Sequence, residues 1–345
     1  LRYSILSAQD SLVIITDATA PLPLMVAPAP DAGYETWSTA STPFALEQIN
    51  AADFKQGLVN DPSLLIQGRI AGTQIYNRGG DPNQGALMRV RGLSSLTQRQ
   101  PLFVIDGVPG AALENLDPND IASITILKDG ASQSLYGIRA SNGVVLINTK
   151  SGNATPGKLA ISYTGQVATS TAHNSIPVMD ATEFVAAGGW DFGTSTVWMD
   201  EVHRSALSHT HGLAVSGATA KTNYRISGNY RDVEGVLRKS GFDQLNLRAN
   251  MQTSLLQDKL KVQLSSSYTD RNSEFGFQEA FRYAVSYNPT APVFATDAPF
   301  PFSTTQFGGY YEMLGLFDSF NPRAIVDLND RHGKDQIFNG HAFLQ

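Results

Sequence analysis

The chain of 345 residues holds few groups whose type and spacing could carry out a reaction. His209-Thr-His211 would put two imidazoles on one face of a strand, the beginning of a metal site, but no third ligand can be named, and two rim histidines are the simpler reading. Asp117, Asp120 and Asp129 make an acidic cluster without the Asp-x-Asp-x-Asp-Gly pattern of a calcium loop. The nucleophile elbow Gly-x-Ser-x-Gly, the Walker loop and the dinucleotide fingerprint are all missing. Zero cysteine excludes disulfide frameworks and zinc-thiolate sites, and a net charge of -6 gives no basic face for nucleic acid. No catalytic residue, metal ligand or cofactor is therefore assigned, and the chain does not read as an enzyme. What remains is a set of aromatics in two long loops: Trp190, Trp198, Phe275, Phe277, Tyr283, Tyr287, Phe302, Phe307, Tyr310 and Tyr311. These rings can stack on sugars or peptides, or simply pack the loops.

The elements around them fall into two regimes. No window approaches the roughly 18 consecutive apolar residues of a membrane-spanning helix, which leaves a β-barrel open. Between residues 101 and 150 the pattern is compact: a short apolar run at 102–105 stopped by Asp106-Gly107, a second at 121–127 entered through Asp117-Pro-Asn-Asp120, a helical piece at 131–136, and a β-branched strand at 143–149. Residues 46–72 read as helical, with an N-cap signal at Asn60-Asp-Pro-Ser63. Arg89 and Arg91 alternate with Met88 and Val90, so one strand face carries two guanidinium groups suited to bidentate pairing with carboxylates.

From residue 157 the period changes to two over segments of about ten residues. Leu159, Ile161, Tyr163 and Val167 alternate with Ala160, Ser162, Thr164 and Gln166. The same holds for Tyr224, Ile226 and Tyr230 against Asn223, Arg225, Ser227, Asn229 and Arg231, and for Leu245, Leu247 and Met251 against Gln244, Asn246, Arg248 and Asn250. It recurs at 260–268, in shorter form around Leu213 and Val215, and again from Ile337. Transmembrane barrel strands and soluble β-sandwich strands both alternate in this way, and period alone does not separate them. The connections 170–208 and 272–335 are long for a compact soluble domain and ordinary for the external loops of a barrel. Links 232–241 and 254–259 are short, and in an outer-membrane barrel such short links would lie on the periplasmic side.

The ordered motifs Met88-Arg-Val-Arg-Gly92, Pro101-Leu-Phe-Val-Ile-Asp-Gly107, Leu116-Asp-Pro-Asn-Asp-Ile through Lys128-Asp-Gly130, and Leu135-Tyr-Gly-Ile-Arg-Ala-Ser-Asn-Gly-Val-Val145 resemble the plug domain of TonB-dependent outer-membrane transporters, in their SusC/RagA-like branch. Gly130 stands where that branch usually has Ala, and Ile138 and Ser141 replace small residues. The resemblance implies an α+β plug followed by transmembrane antiparallel β-barrel strands, with domains at 1–45 (extended, with a possible TonB box at 13–16 or 24–27), 46–152 (plug) and 153–345 (first barrel strands and extracellular loops). It marks Asp106, Gly107, Lys128, Asp129, Tyr136, Gly137, Arg139, Asn142 and Gly143 as plug-motif residues, and Arg89 and Arg91 as contacts to barrel-wall carboxylates.

The same resemblance implies an outer-membrane importer of an oligosaccharide or oligopeptide. Its partners would be a TonB-like energy-coupling protein, a SusD-like surface lipoprotein, outer-membrane lipid and the substrate. Trp190, Trp198, Tyr310 and Tyr311 are then candidate substrate or partner contacts. The alternative is a plugged barrel that serves signalling or structural assembly without transport. About six strands are present, against the roughly 22 of plugged transporters, so the sequence is expected to be part of a chain about three times longer, with any signal peptide outside it.

Overall fold

The computed structural model describes residues 5–8, 11–14, 46–77, 79, 81–92, 100–130, 135–152, 156–172, 176–257, 259–295, 308–313 and 320–344. Strands β1 (Ile5–Ala8) and β2 (Ser11–Ile14) form a small antiparallel hairpin. The candidate segment at 13–16 is described only through its first two residues, and the one at 24–27 lies outside the described residues.

Residues 46–50 are a strand, β3 (Leu46–Asn50), where the sequence periodicity suggested a helix. Gly57, Gly68 and Gly72 all take positive φ, and Pro62 follows closely on Gly57, so no long helix can run through this stretch. Only two 3-10 turns survive, and β3 instead pairs with a neighbouring strand. The cap signal itself holds, because the Asp61 side chain accepts from Ser63 N at 2.8 Å and Pro62 opens the turn.

Strands β4 (Thr73–Tyr76) and β5 (Leu87–Val90) make a separate two-stranded sheet. The central sheet adds β6 (Leu102–Ile105), β7 (Val108–Pro109), β8 (Ile121–Leu127) and β9 (Val144–Thr149) in the order β3-β8-β9-β6-β7, with β6 parallel to β9 and the other pairs antiparallel. Its core is aliphatic: Val104, Ile105, Ile124, Ile126, Val144, Val145 and Ile147 are all buried. Of the short helical piece expected at 131–136, residues 131–134 lie outside the described residues.

The second half is one antiparallel six-stranded meander: β10 (Leu159–Ser170), β11 (Ala206–Ala218), β12 (Thr222–Glu234), β13 (Gly241–Leu255), β14 (Leu260–Glu274) and β15 (His332–Leu344). At one end the turns at 219–221 and 256–259 are tight. At the other lie the long loops 171–205 and 275–331, together with the six-residue link 235–240. That link was expected on the short-turn side by its length. An up-and-down meander must instead place every second connection at the same end, so it joins the long loops.

The faces of this sheet decide what it is. Its apolar residues point outward and stay exposed, with Leu159 61% and Ile226 58% accessible, and Leu213, Leu247 and Phe338 likewise. The polar face is the buried one: Thr210, Asn229, Arg231, Gln244, Asn246 and Thr269 lie against the central domain. A soluble sandwich buries its apolar face. A membrane barrel does the opposite, offering an apolar band to lipid and a polar interior.

The long loops are not structureless. They contain α1 (Ala181–Ala186), α2 (Trp198–Val202), α3 (Ala280–Ser286) and α4 (Pro322–Leu328). Two of the four carry start signals legible in the sequence. Asp180 and Glu183 form a reciprocal capping box, and Asn321 accepts from Arg323 N and Ala324 N with Pro322 in the first turn.

Candidate functional site

The contact between the central domain and the polar face of the sheet is the best-defined polar site in the molecule. It begins with two turns of the central domain. Asp106-Gly107 is the two-residue turn joining β6 to β7, with φ of +48° and +83°. Positive φ at both positions is the requirement of a type I′ hairpin, which Asp-Gly meets cheaply. Gly107 has a second reason to lack a side chain, since a Cβ there would stand 3.0 Å from Cζ of Phe343 on β15. The turn aims the Asp106 carboxylate at β9, where it accepts from Thr149 N at 2.8 Å and Thr149 Oγ1 at 2.9 Å, and at Arg248 Nη1 of β13 at 3.0 Å.

The second turn, Asp117-Pro-Asn-Asp120, leads into β8. Asp117 caps it by accepting from Asn119 N at 2.8 Å. Its carboxylate also meets Arg231 Nε of β12 at 3.2 Å, and Asp120 meets Arg225 at 3.5 Å and Asn229 Nδ2 at 2.8 Å. Burial raises the Asp117 pKa above the ordinary carboxylate value, more than the Arg231 charge lowers it, and neighbouring Asp120 adds to the rise.

The register explains why one wall can supply all of these donors. On β12 and β13, Arg225, Ser227, Asn229 and Arg231 stand opposite Asn250, Arg248, Asn246 and Gln244, so a two-residue period puts every one of them on the inner face. Gln244 and Asn246 donate to the backbone carbonyls of Glu114 and Asn115 at 3.3 and 2.8 Å, and Asn250 Nδ2 reaches Thr149 Oγ1 and the Lys150 carbonyl, each at 3.0 Å. Arg271 of β14 stacks over Phe242 at 3.9 Å and donates to Asn83 at 3.2 Å. Most of these contacts run from guanidinium and amide groups of the wall to carboxylates and carbonyls of the central domain, with Asn83 the exception, its Nδ2 donating to the Gly241 and Glu274 carbonyls of the wall at 2.9 and 2.8 Å.

That polarity is the reverse of the one expected for Arg89 and Arg91. Arg89 lies within the central domain, 5.6 Å over the Tyr76 ring. Arg91 falls beyond the end of β5, in a left-handed conformation at φ +56°, and is exposed, so the two do not share a strand face toward the wall. Two members of the acidic cluster, Asp117 and Asp120, carry the contact together with Asp106 of the Asp106-Gly107 turn. Its signal was the match between carboxylates in rigid turns and arginines recurring on the polar face of two adjacent strands.

The central domain matches the family model of the TonB-dependent Receptor Plug Domain over residues 38–144. The TonB-dependent receptor SusC of Bacteroides thetaiotaomicron is 30% identical over 329 residues, covering 85% of this chain and 32% of that protein. TonB-dependent receptor P26 of Formosa agariphila is 29% identical, covering 90% and 32%. The RagAB peptide importer in its open-open state superposes with a TM-score of 0.72 at 22% identity, over 92% of this chain and 40% of that one. The chain belongs to the TonB-dependent receptors, in their SusC/RagA-like branch. It spans about a third of the length of these relatives. They are receptors and not enzymes.

In TonB-dependent receptor terms, the central domain is the plug and the six-stranded sheet is barrel wall. The other plug-motif residues serve the plug itself. Lys128 pairs with Glu47 across β8 and β3, and Tyr136 packs against the cluster of Leu102, Val104 and Val144. Arg139 lies against Gly110, where any Cβ would collide with its guanidinium. Gly137 and Gly143 take φ of +69° and +101°, and a Cβ on Gly143 would stand 2.9 Å from that of Val90. Asp129 and Asn142 are half-buried.

The loop aromatics divide. Trp198 and Tyr311, expected among surface contacts, are 3% and 2% exposed in a core with Val202, Leu237, Tyr287 and Val326, so neither ring is available at the surface. Trp198 Nε1 donates to the Asn288 carbonyl at 2.8 Å and its ring meets Tyr287 edge-on, satisfying an indole that must find a partner when buried. Tyr310 is half-buried and donates to Asp327 at 2.7 Å, and its hydroxyl pKa is pushed up to about 12 by burial and that carboxylate. Trp190 alone of the four is open, at 79% exposed. Phe302 and Phe307 lie outside the described residues. His209 and His211 sit on the outward face of β11, with His211 Nδ1 2.7 Å from the Tyr163 hydroxyl and His209 3.7 Å from Asp232. Among the described residues no group of three or more ligands could hold a metal ion.

Proposed function

We propose that this chain is the plug and opening wall of an outer-membrane importer that takes up an oligosaccharide or oligopeptide, with the plug closing the barrel lumen until a TonB-like energy-coupling protein acts on it. The observation that carries this reading is the reversed sheet, apolar face exposed and polar face seated on the plug. Lipid has use for the first face, and a solute path for the second. A plug held by hydrogen bonds and ion pairs suits rearrangement, because water entering the gap can replace each lost partner. An apolar interface would have no such substitute.

The segment for the coupling protein lies in this reading in residues 1–45, captured as an added strand. A SusD-like surface lipoprotein is the proposed partner at the loop end, where the long loops and exposed Trp190 stand. The RagAB structures are named for a peptide importer, which supports an oligopeptide as one candidate substrate class.

The test uses the full-length protein in native outer membrane. Heat-modifiable mobility on gels is expected of a barrel, and uptake of the co-purifying glycan or peptide should stop when the proton gradient is collapsed. Uptake that persists without the gradient would remove the energised mechanism. A folded barrel that takes up nothing would favour a signalling or assembly role.

A further inference from the structure

The tip of the β4–β5 hairpin, Asp81-Pro-Asn-Gln84, reaches out of the plug to the loop end of the wall. Asn83 Nδ2 bridges two strands there, donating to the carbonyls of Gly241 and Glu274, which stand opposite each other where β13 begins and β14 ends. Asn83 Oδ1 accepts from Arg271 at 3.2 Å. We propose that this tip makes the order of the external loops depend on the seated plug, so that displacing the plug also loosens the mouth of the barrel. The inference rests on the plug and wall assignment and is independent of what is carried.

The tip is braced from within the plug. Asp81 Oδ1 accepts from Asn83 N at 2.9 Å, Gln84 N donates to the Asp81 carbonyl at 3.1 Å, and Pro82 fixes the backbone between them. Two residues on, Ala86 N donates at 2.7 Å to Asp61, the residue that also caps the turn at Pro62–Ile66. The tip is also separate from the deeper anchors. Arg248, which holds Asp106, lies seven residues further along β13 than Gly241, about 23 Å of strand at roughly 3.3 Å each.

What the tip touches are the feet of the loop core. Asp81 Oδ2 accepts from Gln278 Nε2 at 3.0 Å, just before α3. Pro82 lies so close to Gly235 that a Cβ there would stand 2.8 Å from its Cδ. Gly235 opens the link 235–240, which ties the loops together. Leu237 enters the core with Trp198, Val202 and Tyr287, Arg238 N donates to the Val202 carbonyl at 3.0 Å, and Lys239 Nζ donates to the Asp327 and Asn329 carbonyls at 2.6 and 3.1 Å. One plug turn therefore meets the link, the ends of β13 and β14, and the approach to α3. These bonds exist only while the plug is seated and the loop feet are in place, so each condition favours the other by the same factor. The side chain is specific to the task, because an amide can donate to two carbonyls and a carboxylate cannot.

The experiment is amide hydrogen exchange on the full-length protein in mild detergent. Asn83→Asp keeps the side-chain shape and an acceptor for Arg271 but removes both donors. It should speed exchange in α3 and in residues 235–240 about ten-fold, with β6, β8 and β9 of the plug core exchanging as in wild type. Asn83→Leu, which removes the Arg271 bond as well, should do at least as much. The reciprocal variant is Trp198→Ala, which leaves the plug sequence intact and loosens the loop core. It should speed exchange at the amides of Asn83 and Gln84. Loop exchange unchanged in both Asn83 variants overturns the proposal. So does Asn83→Asp behaving as wild type while Asn83→Leu loosens the loops, since the amide bridge would then not be the tie. If an Asn83 variant also speeds exchange in β6, β8 and β9, the whole plug has been dislodged and Trp198→Ala decides. Unchanged exchange at Asn83 and Gln84 in that variant, with α2 to α4 loosened, overturns the coupling.

Discussion

Nε of Arg231, on the barrel wall, lies 3.2 Å from Oδ2 of Asp117 on the plug, with the two side chains 3% and 0% exposed. Both charges have left water, and each is the nearest compensation for the other, as an ion pair without a hydrogen bond between these two atoms. Replacing both by apolar residues of similar size is often neutral, whereas removing one strands a buried charge at a cost of about 3–5 kcal/mol. Asp117→Ala is therefore expected to loosen the plug in the full-length protein, read as faster protease cleavage within the plug, and Asp117→Leu combined with Arg231→Met should restore most of the resistance. A double variant as labile as the single one would show that the charge itself is required.

The reversed polarity of the interface gives a sharper contrast. Arg248 holds the Asp106 turn at 3.0 Å, whereas Arg91 is exposed and off its strand. Arg248→Ala should raise passive permeability to large antibiotics, and Arg91→Ala should leave it unchanged. Equal effects of the two variants would return Arg91 to the plug–wall contact.

How far the sequence could be read follows from the range of each signal. The two-residue period of β12 and β13 is a local property, so the strands and their polar face were legible in Arg225 to Arg231 and Gln244 to Asn250. The partner of each arginine is more than a hundred residues away, as in the Asp106–Arg248 pair, and nothing local distinguishes Asp106 as an anchor from Asp106 as a turn. It is both. Residues 46–50 failed for a related reason, since β3 is a strand only because β8 offers it an edge. Loop aromatics carry no period at all, so the burial of Trp198 beside the exposure of Trp190 depends on helices α2 to α4 packing together.

Glu312 gives the loops a pH dependence. Its two carboxylate oxygens both accept from Asn321 N at 3.1 Å, at the start of α4, and burial raises its pKa above the ordinary 4.5 even though that hydrogen bond lowers it. A raised acid keeps its proton in the folded loop where the unfolded loop has lost it. The stability it contributes is therefore full below 4.5 and is lost as pH rises through the folded value. His203, held below 6.5 by burial, acts oppositely, losing stability as pH falls. The difference between wild type and Glu312→Gln isolates the carboxyl. Amide exchange in α4, corrected for intrinsic rate, should show wild type losing protection relative to the variant as pH rises above 4.5. A difference that shrinks with rising pH contradicts the assignment.

The two loop tryptophans make the last prediction, because one is structure and the other is surface. Trp198 fills the loop core between Val202, Tyr287 and Val326, and its truncation to Ala is expected to cost about 3–5 kcal/mol of loop stability, seen as faster exchange throughout α2, α3 and α4. Trp190 uses only its backbone, whose carbonyl accepts from Asn288 Nδ2 at 2.9 Å and Thr290 Oγ1 at 3.0 Å, while its ring stands in solvent. Trp190→Ala should therefore leave those exchange rates unchanged. Exposed aromatics are the groups interfaces use most, so the same variant should reduce co-purification of a SusD-like lipoprotein, or substrate uptake, by several-fold. Trp198→Ala should reduce both as well, and in proportion to the loss of loop protection. If Trp190→Ala leaves complex and uptake intact while the loops stay folded, the ring has no part in either.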